Sequence, residues 1–209
     1  MVEAGVSPDW WKTAKQRISI VDHTIAKVIE DREEPSLSSR GDLFATLIKS
    51  IVGQQISTKA AATVWGRLYD LLGSVTDESV LARTHEELRS VGLSNRKAEY
   101  VTGIAQAWRD GLQTKDWDSM SDEEVVESLI ALRGVGRWTA EMILIFSLLR
   151  PDVFPIDDLG VVRGMEKVYN SGEPLSKAEL KEIAEVWKPY RTLGSWYMWR
   201  AIDPEPVEY

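Results

Sequence analysis

Residues Leu132–Met142 read LRGVGRWTAEM, and two of them, Gly134 and Gly136, flank a single valine. Glycine adopts a positive φ without steric cost, so this pair predicts a tight turn. Good helix formers follow the turn at once, and the helix before it begins with a capping box at Ser121. The sequence therefore predicts a helix–turn–helix hairpin over about residues 121–149.

The predicted turn is suited to binding an anion such as a phosphate. Its glycines bring backbone N–H groups to one side, and the following helix adds free N–H groups and the positive end of its dipole. Arg133 and Arg137 add positive charge beside the turn. A plain αα-hairpin whose glycine turn is only structural is the alternative interpretation of these residues.

The remainder of the chain also predicts helices joined by short loops. An amphipathic stretch over residues 7–30 opens with Ser-Pro, a typical helix start, and predicts one long N-terminal helix. Five further helices begin at predicted N-caps, namely Ser57, Thr76, Thr84, Ser94 and Ser176. Because no stretch alternates apolar and polar residues as a strand does, we predict an all-α fold.

The composition is that of a globular protein without thiol chemistry. Of the 209 residues, 44% are hydrophobic and 28% are charged, and none is cysteine. Disulfides, cysteine zinc sites and iron–sulfur clusters are therefore excluded. No apolar run reaches membrane-spanning length, so we expect a soluble intracellular protein with no membrane partner. The net charge of −8 argues mildly against nucleic-acid binding, but a local patch with backbone donors is enough for a DNA site.

Five segments of the chain resemble the helix-hairpin-helix (HhH-GPD) superfamily of DNA glycosylases, and they occur in the same order as in that family. The hairpin is one, and VFPIDDLGVVRGM resembles the segment that carries the family's catalytic aspartate. The family's DNA-facing loop is resembled by IVGQQISTKAAATVWGRL, and a second family segment is resembled by VGLSNRKAEYVTGIA. The end of AlkA-type 3-methyladenine DNA glycosylases is resembled by WKPYRTLGSWYMWR. In chain order they are Ile51–Leu68, Val91–Ala105, Leu132–Met142, Val153–Met165 and Trp187–Arg200.

The resemblance implies two helical lobes with a DNA-binding cleft between them. Residues 42–150 would form a helical-barrel lobe that ends in the hairpin, and residues 1–41 with 151–209 would form the other. It also implies an enzyme that binds duplex DNA containing a damaged base and flips that base out of the helix. We expect a monomer, located with the nucleoid in the cytoplasm of a prokaryote or in the nucleus of a eukaryote.

Within this resemblance, Asp158 corresponds to the catalytic carboxylate. Breaking an N-glycosidic bond builds positive charge on the sugar, and a carboxylate in a poorly solvated site stabilises that charge. Arg163 follows by five residues, as in the family, and is expected to help hold Asp158 or a DNA phosphate. Taken alone, Asp158 is more typical of a helix N-cap, while its neighbour Asp157 is expected to cap or to support it.

Trp138 stands where glycosylases that also cut the DNA strand carry a lysine. That lysine forms a Schiff base with the sugar, which tryptophan cannot do, so we expect no abasic-site lyase activity. The Trp138 ring also offers a π face to a cationic base. Trp199 and Met142 match positions of the AlkA-type base pocket, and core packing is the alternative interpretation of both.

Further assignments concern contacts with DNA. The hairpin residues expected to bind a phosphate are Gly134, Gly136, Arg137 and Thr139. In the GQQIS turn, Gln55 is expected to fill the gap left by the flipped base as a polar wedge, and Gln54 to be structural. Arg96 and Lys97 are candidates for phosphate contacts or for a solvated pair at a helix start.

The resemblance also implies a monovalent cation at the hairpin, held by backbone carbonyls. By position these carbonyls belong to Ile130, Leu132 and Val135, and the ion would be Na⁺ or K⁺ in a structural role. No cofactor is expected to be required for the reaction.

The sequence thus predicts a monofunctional DNA glycosylase that hydrolyses alkylated purines, such as 3-methyladenine and 7-methylguanine, from duplex DNA. An alkylated purine already carries positive charge and leaves readily, which fits a chain with one candidate carboxylate and no evident acid partner. The alternatives are a glycosylase for another lesion (ethenoadenine, uracil or an oxidised purine), a non-catalytic DNA-binding hairpin protein, and an all-α interaction protein.

Overall fold

The computed structural model describes residues 5–32 and 36–203, and within these ranges the chain is helical without a strand. The predicted all-α fold is therefore confirmed. The α-helices are α1 (Trp11–Val21), α2 (His23–Asp31), α3 (Leu43–Gly53), α4 (Thr58–Leu72), α5 (Asp77–Leu81), α6 (His85–Ser90), α7 (Asn95–Arg109), α8 (Asp122–Ile130), α9 (Arg137–Phe146), α10 (Leu159–Tyr169), α11 (Lys177–Glu185) and α12 (Arg191–Ile202). A short 3₁₀ helix covers Leu112–Thr114.

Polar N-caps begin most of these helices, as the sequence predicts. The side chains of Ser57 and Ser94 each accept a hydrogen bond from a backbone N–H three residues on. Thr84, Ser121 and Ser176 form complete capping boxes, in which a glutamate carboxylate also accepts a hydrogen bond from the N-cap N–H. Local side-chain chemistry thus fixes where these helices start.

The predicted single N-terminal helix is wrong, because Asp22 interrupts it. Asp22 has extended backbone angles, φ −138° and ψ 96°, and separates α1 from α2. Its Oδ1 accepts the N–H groups of Thr24 and Ile25, and its Oδ2 accepts the Tyr169 hydroxyl at 2.7 Å and the Trp187 indole N–H at 3.0 Å. The hydroxyl and indole bonds come from distant parts of the chain, so periodicity alone could not show the break.

The chain divides into two compact units, of which the first is Arg40–Ile143. Its core contains α3, which packs on α4 and α7, and residues such as Leu47, Ile48 and Ile51 are fully buried. α5 and α6 also pack on α7. The hairpin formed by α8 and the beginning of α9 belongs to this unit.

Among the described residues, the second unit is formed by residues 5–32 and 36–39 together with residues 144–203. Its central helix is α12, which packs on α1, α2, α10 and α11. Residues 192–200 of α12 are all buried, and a helix that is buried on every side is typical of a core position. None of the helices within the described ranges has both the length and the hydrophobicity that a membrane span needs.

Candidate functional site

The hairpin forms as predicted, with α8 and α9 on either side of a turn over residues 131–136. Gly134 has φ +93°, in the region that favours glycine, and a Cβ there would overlap the Tyr100 ring. Gly136 does not have a positive φ, and a Cβ there would meet nothing within 4 Å. The Val135 N–H donates to the Leu132 carbonyl at 3.1 Å and closes the turn. Only the first of the two glycines is therefore required by the conformation of the protein.

The charged side chains of the hairpin are engaged within the first unit. Arg137 makes two hydrogen bonds to the Glu123 carboxylate, at 3.2 and 3.0 Å, and lies 3.4 Å from Glu141. The bonds from Arg137 lower the pKa of Glu123. Arg133 is largely exposed, lies over the Tyr100 ring and is 3.7 Å from Glu99. Arg137 is thus less available to a phosphate than its position suggested.

Thr139 occupies the first turn of α9, and its side chain is buried. The first N–H groups of a helix have no partner within the helix, so the backbone N–H of Thr139 is the group suited to an anion. The turn and the first turn of α9 together therefore offer mainly backbone donors.

The predicted DNA-facing loop joins α3 to α4 and contacts the hairpin. Gln55 is exposed and has φ +59°, a left-handed conformation that is uncommon outside glycine. The Gln54 side chain donates to the Gly134 carbonyl at 3.1 Å, which fits its predicted structural role. The Lys97 ammonium donates to the carbonyls of Val52 and Gln54, both at 2.7 Å. Partial burial lowers the pKa of Lys97.

Lys97 and Arg96 therefore differ, although both were candidates for phosphate contacts. Arg96 is exposed. The ammonium of Lys97 is bonded to two backbone carbonyls, which leaves it less available to a phosphate than Arg96, and its contact with a phosphate stays a prediction. The two backbone carbonyls that bind it could not be foreseen from sequence spacing, because they lie more than forty residues before it.

In the second unit, Asp158 is a buried carboxylate that accepts hydrogen bonds from a backbone N–H and from an indole N–H. It is only 4% exposed and is the N-cap of α10, where its Oδ1 accepts the Val161 N–H at 2.9 Å. The same oxygen accepts the Trp199 indole N–H at 2.8 Å. Asp158 therefore has the capping role that the sequence offered as an alternative, and Trp199 fixes its orientation in addition. Asp157 is exposed and forms an ion pair with Lys177, so its predicted capping role is wrong.

Close packing between α10 and α12 brings the indole to the carboxylate. A Cβ at Gly160 would lie 2.6 Å from Trp199 Cδ1 and 3.1 Å from Asp158 Oδ1. A Cβ at Gly164, one turn later, would overlap the Met198 carbonyl. The indole also stacks on Phe146, with ring centroids 5.7 Å apart. The signal that sequence reasoning missed is the pair of glycines four residues apart inside a predicted helix.

The other predicted side chains vary in exposure. Trp199 and Met142 are each 1% exposed, which favours the core-packing interpretation over open pocket walls. Trp138 is half-buried near the start of α9, and Arg163 is exposed on α10.

The ligands predicted for a cation at the hairpin are backbone carbonyls. Within the described ranges, no group of three or more histidine, aspartate or glutamate residues could hold a metal ion. Ile130 is the last residue of α8, and Leu132 and Val135 lie in the turn after it. The Ile130 carbonyl lies at the end of α8, where carbonyls lack partners within the helix, while the Leu132 carbonyl already accepts the Val135 N–H. Carbonyl oxygens suit a hard cation. The donor set is therefore compatible with Na⁺ or K⁺.

Comparisons with known proteins agree on one family. A family model described as "HhH-GPD superfamily base excision DNA repair protein" matches residues 48–189. "DNA-3-methyladenine glycosylase 1" of Schizosaccharomyces pombe is 30% identical over 202 residues, which cover 94% of this chain and 83% of the relative.

Solved structures give the same result. The crystal structure of a DNA-3-methyladenine glycosidase from Bacillus halodurans is similar with a TM-score of 0.81 and 33% identity, covering 90% of this chain and 88% of that one. The 3-methyladenine DNA glycosylase of Schizosaccharomyces pombe in complex with abasic DNA is similar with a TM-score of 0.79 and 30% identity, covering 90% and 95%.

Proposed function

This chain belongs to the HhH-GPD superfamily of base excision DNA repair proteins, and we propose that it is a DNA glycosylase that removes alkylated purines from duplex DNA. The observation that carries the proposal is Asp158, a buried carboxylate held by two N–H donors in the segment matched by the family. The substrate class is supported by relatives named DNA-3-methyladenine glycosylase.

Asp158 acts on the charge that develops during bond cleavage. As the N-glycosidic bond breaks, the sugar becomes positively charged, and a preorganised carboxylate stabilises that charge most strongly where water is excluded. The bonds from Val161 and Trp199 hold one carboxylate oxygen in place, so little reorganisation is needed as the charge forms. Ordinary glycosides need a second group to protonate the leaving oxygen, whereas an alkylated purine leaves as a neutral base without that help.

Water adds to the positively charged sugar carbon and loses a proton to solvent, so the reaction ends at an abasic site with the strand intact. A lyase step needs an amine that attacks the sugar and forms a Schiff base. Trp138 occupies the position at which lyase members of the family carry that lysine, and an indole has no nucleophilic amine. The half-buried ring of Trp138 is suited instead to a cation–π contact with the alkylated base, worth about 0.5–2 kcal/mol.

Trp199 acts through Asp158 rather than by stacking on the base. Its indole is almost fully buried, stacks on Phe146 and donates its N–H to the carboxylate. These contacts support a positioning role for Trp199, and the burial of Met142 supports core packing there.

The hairpin holds the DNA backbone and Gln55 fills the gap left by the flipped base. Backbone N–H groups of the turn and of the first turn of α9 bind a phosphate, which lets an acidic chain bind DNA with few lysines or arginines. A monovalent cation held by the carbonyls of Ile130, Leu132 and Val135 would add positive charge beside that phosphate. The exposed amide of Gln55 can hydrogen-bond the orphaned partner base.

The decisive experiment measures release of free base from duplexes that each carry one lesion. The lesions are 3-methyladenine, 7-methylguanine, ethenoadenine, uracil and 8-oxoguanine, and the abasic strand is then examined for cleavage. We expect release of the two methylated purines with an uncut strand. Release only from a duplex with one of the other three lesions would show that the enzyme acts on that lesion and not on alkylated purines such as these. Binding without release of any base would identify a non-catalytic DNA-binding protein.

A further inference from the structure

The first turns of α7 contact both segments proposed to meet DNA. Lys97 binds the carbonyls of Val52 and Gln54, at the start of the DNA-facing loop. Tyr100, one turn later, packs against Gly134 of the hairpin turn, and the Arg133 guanidinium lies over the Tyr100 ring. One helix face therefore holds the loop and the hairpin at the same time.

A direct bond joins the same two segments. The Gln54 side-chain amide donates to the Gly134 carbonyl at 3.1 Å, while the Gln54 backbone carbonyl accepts from Lys97. Gln54 thus connects α7, the loop and the hairpin through two bonds of its own. The residue after it is Gln55, the proposed wedge.

The conformation of Gln55 needs such support. A non-glycine residue in the left-handed region costs free energy and persists only where the surrounding structure determines it. The Lys97 ammonium supplies charge-assisted bonds at the carboxyl end of α3, where the helix dipole also favours a cation. These bonds fix the last turn of α3 and hence the direction in which the chain enters Gln55.

We propose that Lys97 and Gln54 are positioning residues that hold the Gln55 wedge at a set distance from the phosphate-binding turn. Because this distance is fixed, Gln55 enters the duplex when the hairpin turn binds a DNA phosphate. The proposal rests on the proposed function for its substrate, damaged duplex DNA. A positioning role for Lys97 differs from direct binding of a phosphate, because both carbonyl bonds direct the ammonium into the protein.

The test compares Lys97→Met with Arg96→Met, since each removes one positive charge from the same turn of α7. Each protein is titrated with a duplex containing a tetrahydrofuran abasic analogue and with an undamaged duplex. A 2-aminopurine placed opposite the analogue reports insertion of the wedge through its fluorescence.

For Lys97→Met we expect affinity for the abasic duplex to fall about tenfold, affinity for the undamaged duplex to change little, and most of the fluorescence change to be lost. The salt dependence of binding should stay that of the wild type, because no phosphate contact is removed. Arg96→Met should keep the fluorescence change. An equal loss of affinity on both duplexes, with a salt slope lower by about one, would overturn the proposal and make Lys97 a phosphate ligand.

Gln54→Ala provides an independent variant, because it removes only the bond to Gly134 and leaves the backbone carbonyl that binds Lys97. We expect the same selective loss on the abasic duplex, and wild-type fluorescence would contradict the proposal. None of these readouts requires bond cleavage. If the variants show the selective loss of affinity but the wild type releases no base from any duplex, the proposed function is refuted and this inference is kept.

Discussion

The hairpin of the first unit and the Asp158 cluster of the second unit are built in opposite ways. The hairpin offers backbone N–H groups and carbonyls on an exposed turn, and its cationic side chains are paired with glutamates. The Asp158 cluster is made of buried side chains, with an indole and a helix N-terminus on one carboxylate oxygen. Backbone donors can bind the phosphate of any DNA, whereas a fixed carboxylate acts on one bond. Changes in the hairpin should therefore alter affinity, and changes in the cluster should alter rate.

The largest effect is expected for Asp158→Asn. Asparagine keeps the shape and the capping ability but removes the negative charge, so the single-turnover rate of base release should fall by about 10²–10³-fold or more. Affinity for the damaged duplex should be kept. Asp157→Asn is the control, because that exposed carboxylate is paired with Lys177, and its rate should stay near the wild type. An equal loss of rate in the two variants would show that Asp158 has no specific role in the reaction.

The next effect concerns the support of Asp158. In Gly160→Ala the new methyl would lie 2.6 Å from the Trp199 ring and 3.1 Å from Asp158 Oδ1, so the packing that holds the indole against the carboxylate must shift. We expect about a tenfold loss of rate and a loss of roughly 1–3 kcal/mol in the free energy of unfolding. Gly66→Ala in α4 is the control, since a Cβ there meets nothing within 4 Å. It should keep the rate and gain about 0.5–1 kcal/mol of stability.

The hairpin is tested by Gly134→Ala. A residue with a Cβ at φ +93° is strained and would overlap Tyr100, so affinity for any duplex should fall by roughly tenfold. The rate at saturating enzyme should stay close to that of the wild type. Gly136→Ala has room for its methyl within the protein and should melt at the wild-type temperature. An equal drop in melting temperature in the two variants would show that the turn is not strained at Gly134 alone.

The smallest effect is expected for Arg137→Gln. Because Glu123 and Glu141 already pair with this guanidinium, its loss should weaken DNA binding by less than about threefold. Glu123→Gln removes one of the two carboxylates that pair with Arg137 and leaves Glu141, so it should strengthen binding at low salt by no more than a similar factor. Binding titrations at two salt concentrations measure both, and a tenfold loss in Arg137→Gln would mean that the guanidinium leaves the glutamates to bind a phosphate.

Features fixed by neighbouring residues were predictable from the sequence. Helix starts such as Ser57, Ser94 and Ser176 depend on an oxygen and an N–H three residues apart. The hairpin turn depends on Gly134, whose positive φ few other residues accept. The identity of Asp158 as the carboxylate of interest also came from a local motif, and its role remains a prediction.

Features made by distant residues were not predictable. The Trp199 indole that orients Asp158 lies 41 positions along the chain, and its approach depends on the absence of a side chain at Gly160. The break at Asp22 is held by Tyr169 and Trp187, which no spacing rule connects to it. From its sequence context Lys97 is a typical surface cation, and only the fold brings the carbonyls of Val52 and Gln54 to its ammonium.

The central claim is that the hairpin supplies affinity and the Asp158 cluster supplies rate. One measurement tests it directly: the dissociation constant and the saturated single-turnover rate of base release, determined on one duplex with a 7-methylguanine for the wild type, Asp158→Asn and Gly134→Ala. We predict that Asp158→Asn loses rate and keeps affinity, while Gly134→Ala loses affinity and keeps rate. Base release by Asp158→Asn at the wild-type rate, or a loss of the saturated rate in Gly134→Ala, would contradict this division of roles.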